Sequence, residues 1–419
     1  MQNSKVRSRL KAQLTKFVSE LTEGLSKPLR AFVGEMLFGI QASQDVKLSN
    51  IARSLEEEIP LIKTEDRLSR NLKAKALEEH LSQRLVELGS RRVEANTVLC
   101  LDLSDVRKEY AQKMEYLDEV WDGSEGEVHP GYWLLSVTAA EVEGSEITPL
   151  AQKLFSARAK EFVSENAEIL GSVDRIRAHT GGRGIWTMDR GGDRKKLLEP
   201  LLERRERFVI RSTGQRMVVD RRGRRRTVHQ VGAGCRLRYR ARVVKIEDGE
   251  EKILELRYGA EPIRLPGREE KLLLVVVAGF GQESLLLLTH LAGARDSQTL
   301  WWIVRIYLAR WKIEETFRFV KQSYQVEDIR VLRYQRLKNL VVLVTAAAYF
   351  AATFLGQKLK LKILCEKLLI ISRRFFGIPP FRFYALADGI RTVLQGAKPD
   401  SPPEPPPNLQ LDLLLAWES

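Results

Sequence analysis

The chain has 419 residues, 44% of them hydrophobic and 30% charged, which excludes a wholly disordered protein and favours two or three domains over one. Lys and Arg number 69 against 55 Asp and Glu, for a net charge of +14 and a pI near 9.6; that surplus favours a polyanionic partner, because neutralising phosphates releases condensed counterions. Cys100, Cys235 and Cys365 are far apart and form no CxxC pair, which excludes a zinc ribbon or a disulfide framework and suits a reducing cytosol.

Residues 1 to about 95 read as helices: LTKFVSELTEGL and ALEEHLSQRLVEL space charged and apolar residues helically and lack β-branched runs. The opening MQNSKVRSRLKAQL lacks the apolar run of a signal peptide. Basic residues crowd Lys63 to Lys75, which fits either a helical face lying on DNA or a merely solvated one. From Asn96 the pattern changes. NTVLCLDLSDV predicts a buried first strand ending at Asp102, with Asp105 as a cap for a helix over VRKEYAQKME. GYWLLSVTAAEV and SEITPLAQKLF predict two further strands with a turn at Glu143-Gly144. A helix over Ala159 to Ala178 comes next, then GIWTMD as a fourth strand ending at Asp189. RKKLLEPLLERRE is a predicted helix and RFVIRS a strand, so the order describes an α/β domain with a mixed sheet.

Residues 212 to 290 read as strands without an intervening helix, including RMVVD, RTVHQV, RLRYRARVVKIE and KLLLVVVAGF, an all-β insertion. Arg221, Arg222, Arg224, Arg225 and Arg226 surround Gly223; such a tip suits phosphate or minor-groove contact, the alternative being a solvated turn. SQTLWWIVRIYLARWKIEETFRFVKQ predicts one long helix, followed by a second from about Arg336 to Lys360. Leu340 to Leu355 is apolar but shorter than the ~20 residues needed to span a bilayer, so a buried core helix is expected. Pro379-Pro380 breaks the next stretch, Pro399 to Pro407 is a Pro-rich linker, and NLQLDLLLAWES closes the chain.

On the long helix Tyr307, Arg310, Glu314 and Lys321 stand at offsets of 0, 3, 7 and 14. At about 100° per residue they fall within roughly 60° of one another. One face thus carries a phenol, a guanidinium, a carboxylate and an ammonium; alone, that is also the pattern of a surface ion-pair ladder. Asp102 and Asp189 at strand ends would converge at one sheet edge. Three carboxylates suit hard divalent cations, and two such ions suit phosphodiester chemistry.

These residues carry a resemblance. YLARWKIEETFRFVK matches without a gap the Y-(2)-R-(3)-E-(6)-K signature of DDE transposases of bacterial insertion sequences, of the insertion-sequence-four-like superfamily. LCLDLSDVRK resembles the family's first Asp segment and WTMDRGGD its second, while RFVIRS and LLLLTH resemble its neighbouring strands. The resemblance runs from about residue 95 to 360 and implies an RNase H-like catalytic core with an inserted β-rich domain and a helical N-terminal domain. The boundaries that follow are 1–95 for a helical DNA-binding region, 96–211 and 291–360 for the core, 212–290 for the insertion and 361–419 for a C-terminal helical region with its tail. Asp102, Asp189 and Glu314 become the expected metal-holding catalytic residues, with Mg²⁺ as cofactor and Mn²⁺ as a substitute. The implied reaction is cleavage at transposon ends and transfer into target DNA. A nuclease without strand transfer and a domesticated DNA-binding protein are the alternatives. Tyr307, Arg310 and Lys321 are expected at DNA phosphates, joined by Arg211, Arg222, Arg224 and Arg225. Asp193 and Glu315 are expected to be structural. The partners implied are inverted-repeat ends and target DNA, bound as a homodimer in the nucleoid of a bacterial cytoplasm, away from any membrane.

Overall fold

The computed structural model describes residues 2–109, 111–123, 125–144, 146–247, 250–291, 293, 295–371 and 383–400. Five helices come first: α1 (Gln2–Leu21), α2 (Lys27–Ser43), α3 (Leu48–Ser54), α4 (Leu61–Asn71) and α5 (Leu77–Ser90). On α1 the buried Leu10, Leu14, Phe17, Val18 and Leu21 recur every three or four residues, the spacing of one helix face. These helices pack against the rest of the chain. The Asn339 amide donates to the carbonyls of Leu72 and Ala74 at 2.9 and 2.8 Å and accepts from Glu78 N. Gln41 donates to the Ala347 carbonyl at 2.8 Å.

The sheet grows outward from β1 (Val98–Arg107). β2 (Asp118–Asp122) was not expected; its acidic DEVWD has no buried-strand pattern and it is held by pairing with the start of β3 (Glu127–Ala140). β4 (Ile147–Phe155) completes the meander with β3. β1 runs on to Arg107, so Asp105 caps no helix and the VRKEYAQKME helix does not form; residues 98–107 pair throughout with 131–140 of β3. Gly131 permits this close approach, since a Cβ there would lie 2.6 Å from the Val106 carbonyl oxygen. α6 (Glu165–Thr180) starts later than Ala159, where the Ser164 hydroxyl accepts from Ala167 N as an N-cap. β5 (Ile185–Met188), the fifth strand rather than the fourth, is followed by α7 (Lys195–Glu203) and β6 (Phe208–Arg211).

The next segment holds β7 (Met217–Asp220), β8 (Arg225–Thr227), α8 (Val228–Ala233), β9 (Tyr239–Glu247), β10 (Glu250–Arg264), β11 (Lys271–Ala278) and β12 (Leu285–Thr289). A helix does interrupt it. Thr227 and Gln230 form a reciprocal capping box that turns the expected RTVHQV strand into α8. β12 pairs with β6, so these strands extend one continuous twelve-stranded sheet, in the order β2-β3-β1-β5-β6-β12-β11-β10-β7-β8, with β4 beside β3 and β9 beside β10.

The expected long helix is two: α9 (Ser297–Ala309), capped by the Asp296 carboxylate, and α10 (Trp311–Tyr324). At Arg310 the bonds tighten to i→i−3, from Arg310 N to Tyr307 O and from Ile313 N to Arg310 O. α11 (Tyr334–Tyr349) passes into a π-turn over Phe350–Phe354, where Leu355 N bonds Phe350 O at 2.9 Å. The single helix expected to Lys360 is therefore broken, and α12 (Gln357–Ile371) follows, then α13 (Phe383–Leu394). Tyr334–Phe354 is long and apolar enough to cross a membrane, but 89% of its most apolar stretch is buried inside the protein, as a core helix would be. Pro379-Pro380, the linker beyond Asp400 and NLQLDLLLAWES lie outside the described residues.

Two apolar clusters line the two sheet faces. Val98 and Cys100 of β1 join one with α9 to α11, and Leu99 and Leu101 join the other with α6 and α7. This alternation positions the site.

Candidate active site

Asp102 is the fifth of ten residues in β1, not its last. It lies at an edge because its parallel neighbour stops: β5 pairs with β1 only over Val98–Cys100, with Cys100 opposite Thr187. Two residues further on each strand are Asp102 and Asp189. Val98 and Cys100 on β1 and Ile185 on β5 join the cluster with α9 and α10; Asp102 continues that row with period two, and Asp189, one residue past β5, is near enough for its charge to act on Asp102. Thr187 pairs with Val209 of β6, and Arg211 ends that strand, one residue past the Met188–Ile210 pair. Asp189 leaves the strand into a tight turn and accepts from Gly191 N at 2.7 Å; a Cβ on Gly191 would stand 2.9 Å from that carboxylate oxygen.

The α9–α10 junction lies over this row. Cys100 Sγ is 3.7 Å from the Ala309 carbonyl, directly before Arg310. Arg310 Nη1 donates to Asp102 Oδ2 at 2.9 Å, and its Nη2 donates to Glu314 Oε1 at 2.6 Å. Asp102 Oδ1 accepts from Leu103 N at 2.9 Å. The Tyr307 ring, almost buried, centres 5.8 Å from the guanidinium carbon. Burial, the Asp189 charge and, more weakly, Glu314 push the Asp102 carboxyl up to about 7, against the pull of Arg310 and the Leu103 N–H. Asp102 and Glu314 thus share one guanidinium, and Asp189 lies near enough for its charge to act on Asp102.

The expected DNA contacts divide. Lys321 pairs with Asp105 at 3.5 Å and Glu327 at 3.1 Å, further along β1 from the carboxylates. Arg222, Arg224 and Arg225 sit on the β7–β8 turn at the opposite end of the sheet order, away from Asp102. There Arg221, Arg222, Arg224 and Arg226 line a cleft of about 210 Å³. Arg224 is held by Asp220 through two bonds of 3.0 and 2.9 Å, while Arg222 and Arg225 are exposed. Asp193 is buried; it accepts from Ser212, Thr213 and Arg216 and holds the loop after β6. Glu315 turns to Arg318 at 2.6 Å.

A groove that sequence reading missed lies between α4 and the start of α11. Lys73, Arg330, Arg333 and Arg336 outnumber Glu65 and Glu115 along its walls, and its volume is about 740 Å³. The signal was the run RVLRYQR, whose basic density was visible but whose meeting with Lys73 was not. Asp122, Glu125 and His129 also gather within 4.8 Å of one another on the β2–β3 hairpin, where Arg107 already bonds both carboxylates.

Residues 95–350 match the family model of the transposase DDE domain. The chain belongs to that family. It is a DDE transposase, an enzyme of DNA transposition that acts on DNA, and transposases of this family use divalent metals. No curated protein matches the chain. Among solved structures it is similar to the piggyBac transposase in a synaptic complex with hairpin DNA, at 10% identity and a TM-score of 0.48, over 97% of this chain and 82% of that one. Asp102, Asp189 and Glu314 offer the hard oxygen donors that such a metal takes.

Proposed function

We propose that this transposase cuts DNA at transposon ends and joins the ends to target DNA through a site made of Asp102, Asp189 and Glu314. The observation that carries the reading is that Asp189 lies near enough for its charge to act on Asp102, with Arg310 linking Asp102 to Glu314. The strand order β4-β3-β1-β5-β6, with β5 parallel to both β1 and β6, supports an RNase H-like core. Within it, Tyr307, Arg310, Glu314 and Lys321 act as the Y-R-E-K set of the insertion-sequence-four-like group. Residues 1–95 and the β-rich stretch 212–290 serve as DNA-holding parts around the core, and two copies work together on paired ends in a bacterial nucleoid.

Asp102, Asp189 and Glu314 would hold Mg²⁺, which when bound would supply the positive charge for activating an attacking oxygen and stabilising a leaving one. The chain's own groups do the rest. Asp102 and Asp189 fix the ligand row from the rigid sheet, and Glu314 closes it from α10. The cations beyond it, Arg211 at the end of β6 and the exposed Arg222 and Arg225 of the β7–β8 segment, hold phosphate backbones. Strand transfer is tested with pre-cut end DNA and a supercoiled target in Mg²⁺. Joined products are expected; cleavage of uncut ends without any joining would make the protein a nuclease only.

A further inference from the structure

Arg310 sits at the tightened junction of α9 and α10 with only 14% of its side chain exposed. It bridges Asp102 Oδ2 and Glu314 Oε1, while Leu103 N takes Asp102 Oδ1. Both oxygens of Asp102 are therefore engaged inside the protein. An oxygen receiving a charge-assisted bond from a guanidinium is a poor donor to a metal, and a divalent ion entering beside that guanidinium meets like charge. Arginine does not escape this by losing its proton. Its Nε is buried without a hydrogen-bond partner, so this position leaves the guanidinium incompletely satisfied. A phosphate offers it several oxygens and a full negative charge.

We propose that Arg310 is an internal counter-cation that holds the metal site closed and is drawn off Asp102 and Glu314 by a DNA phosphate, so that DNA binding raises metal affinity. The inference rests on the assignment of Asp102, Asp189 and Glu314 as metal ligands. Linkage makes the coupling reciprocal: the metal must tighten DNA binding by the same factor.

The test is Mn²⁺ binding to the full chain, read from the free-ion paramagnetic resonance signal, with and without a short duplex of arbitrary sequence. Arg310→Gln should bind Mn²⁺ roughly ten-fold tighter than the wild type without DNA, the scale of one charge-assisted contact removed. The gain that wild type shows on adding duplex should shrink in that variant. Arg310→Lys keeps the charge but cannot span both carboxylates, so it should bind several-fold tighter; it decides the matter if the Gln variant does not fold. Asp189→Asn should lose the Mn²⁺ site. If Asp189→Asn loses it while neither Arg310 variant binds tighter than wild type, the counter-cation role is wrong and the carboxylate assignment stands. If Asp189→Asn binds Mn²⁺ like wild type, the assignment fails and this inference with it.

Discussion

Lys108 and Val326 are 218 residues apart, yet Lys108 Nζ donates to the Val326 carbonyl at 3.1 Å and to the Glu327 carbonyl at 2.7 Å. Lys108 directly follows β1, which carries Asp102; the two carbonyls belong to the turn after α10, which carries Glu314. The ammonium thus ties the strand of one carboxylate to the helix of another, and burial pulls its pKa down to about 8. Lys108→Met would remove the ammonium donor from both carbonyls and leave Val326 O with only the long bond from Ile329 N. A loss of about 1–3 kcal/mol is expected, read as a lower midpoint in thermal or urea unfolding. An unchanged midpoint would mean that water replaces the ammonium without cost.

The Asp102 carboxyl gives the metal-free protein a pH signature. Its folded pKa is raised to about 7 by burial and by Asp189, above the ordinary 3.8. Between those values the folded protein holds a proton that the unfolded chain has released, so this group's contribution to stability is full below about pH 4 and lost as the pH rises through about 7. With a chelator present, the melting temperature of the wild type should fall over that window relative to Asp102→Asn, whose amide does not titrate. Parallel curves for the two proteins would remove Asp102 as the source.

Asp102→Ala, Asp189→Ala and Glu314→Ala should each abolish cleavage of end DNA and leave end binding measured in a chelator largely intact. Metal ligands serve the transition state, whereas affinity comes from cations that neutralise phosphates. Gel shift and cleavage assays on the same preparations check this. Near wild-type cleavage by any one variant would take that residue out of the site.

Glu314 and Glu315 are adjacent and chemically identical, but they face different partners. Glu314 meets Arg310 beside Asp102, and Glu315 meets the exposed Arg318. Glu314→Gln should stop metal-dependent cleavage and joining. Glu315→Gln should retain most activity, with a loss of stability under about 1 kcal/mol from a surface pair. Side-by-side cleavage by the two folded variants decides it, and the reverse result would place the wrong glutamate in the pocket.

DNA affinity should fall steeply with salt, with a log–log slope of about −0.9 for each phosphate neutralised. Replacing Arg330, Arg333 and Arg336 together with Gln should flatten that slope if the groove they share with Lys73 carries the backbone. Arg222→Gln with Arg225→Gln tests the β7–β8 turn in the same way. Fluorescence anisotropy at several salt concentrations measures both, and a slope that stays at the wild-type value marks that surface as solvated only.

Local pattern alone determined much of this protein. Strand periodicity found β1, β3, β5 and β6, because strand periods are properties of short segments, whereas the offsets of Tyr307, Arg310, Glu314 and Lys321 carried a family resemblance and by themselves fitted a surface ion-pair ladder equally. Long-range pairing decided the rest. β2 exists because β3 offers it an edge, and β1 runs past Asp102 to Arg107 because β3 pairs with it throughout. The turn of the Arg310 guanidinium onto Asp102 depends on a strand more than two hundred residues away. The groove of Lys73 and Arg330 likewise joins two basic stretches that are remote in the chain. Periodicity says which face of an element a side chain occupies; only packing says what that face meets.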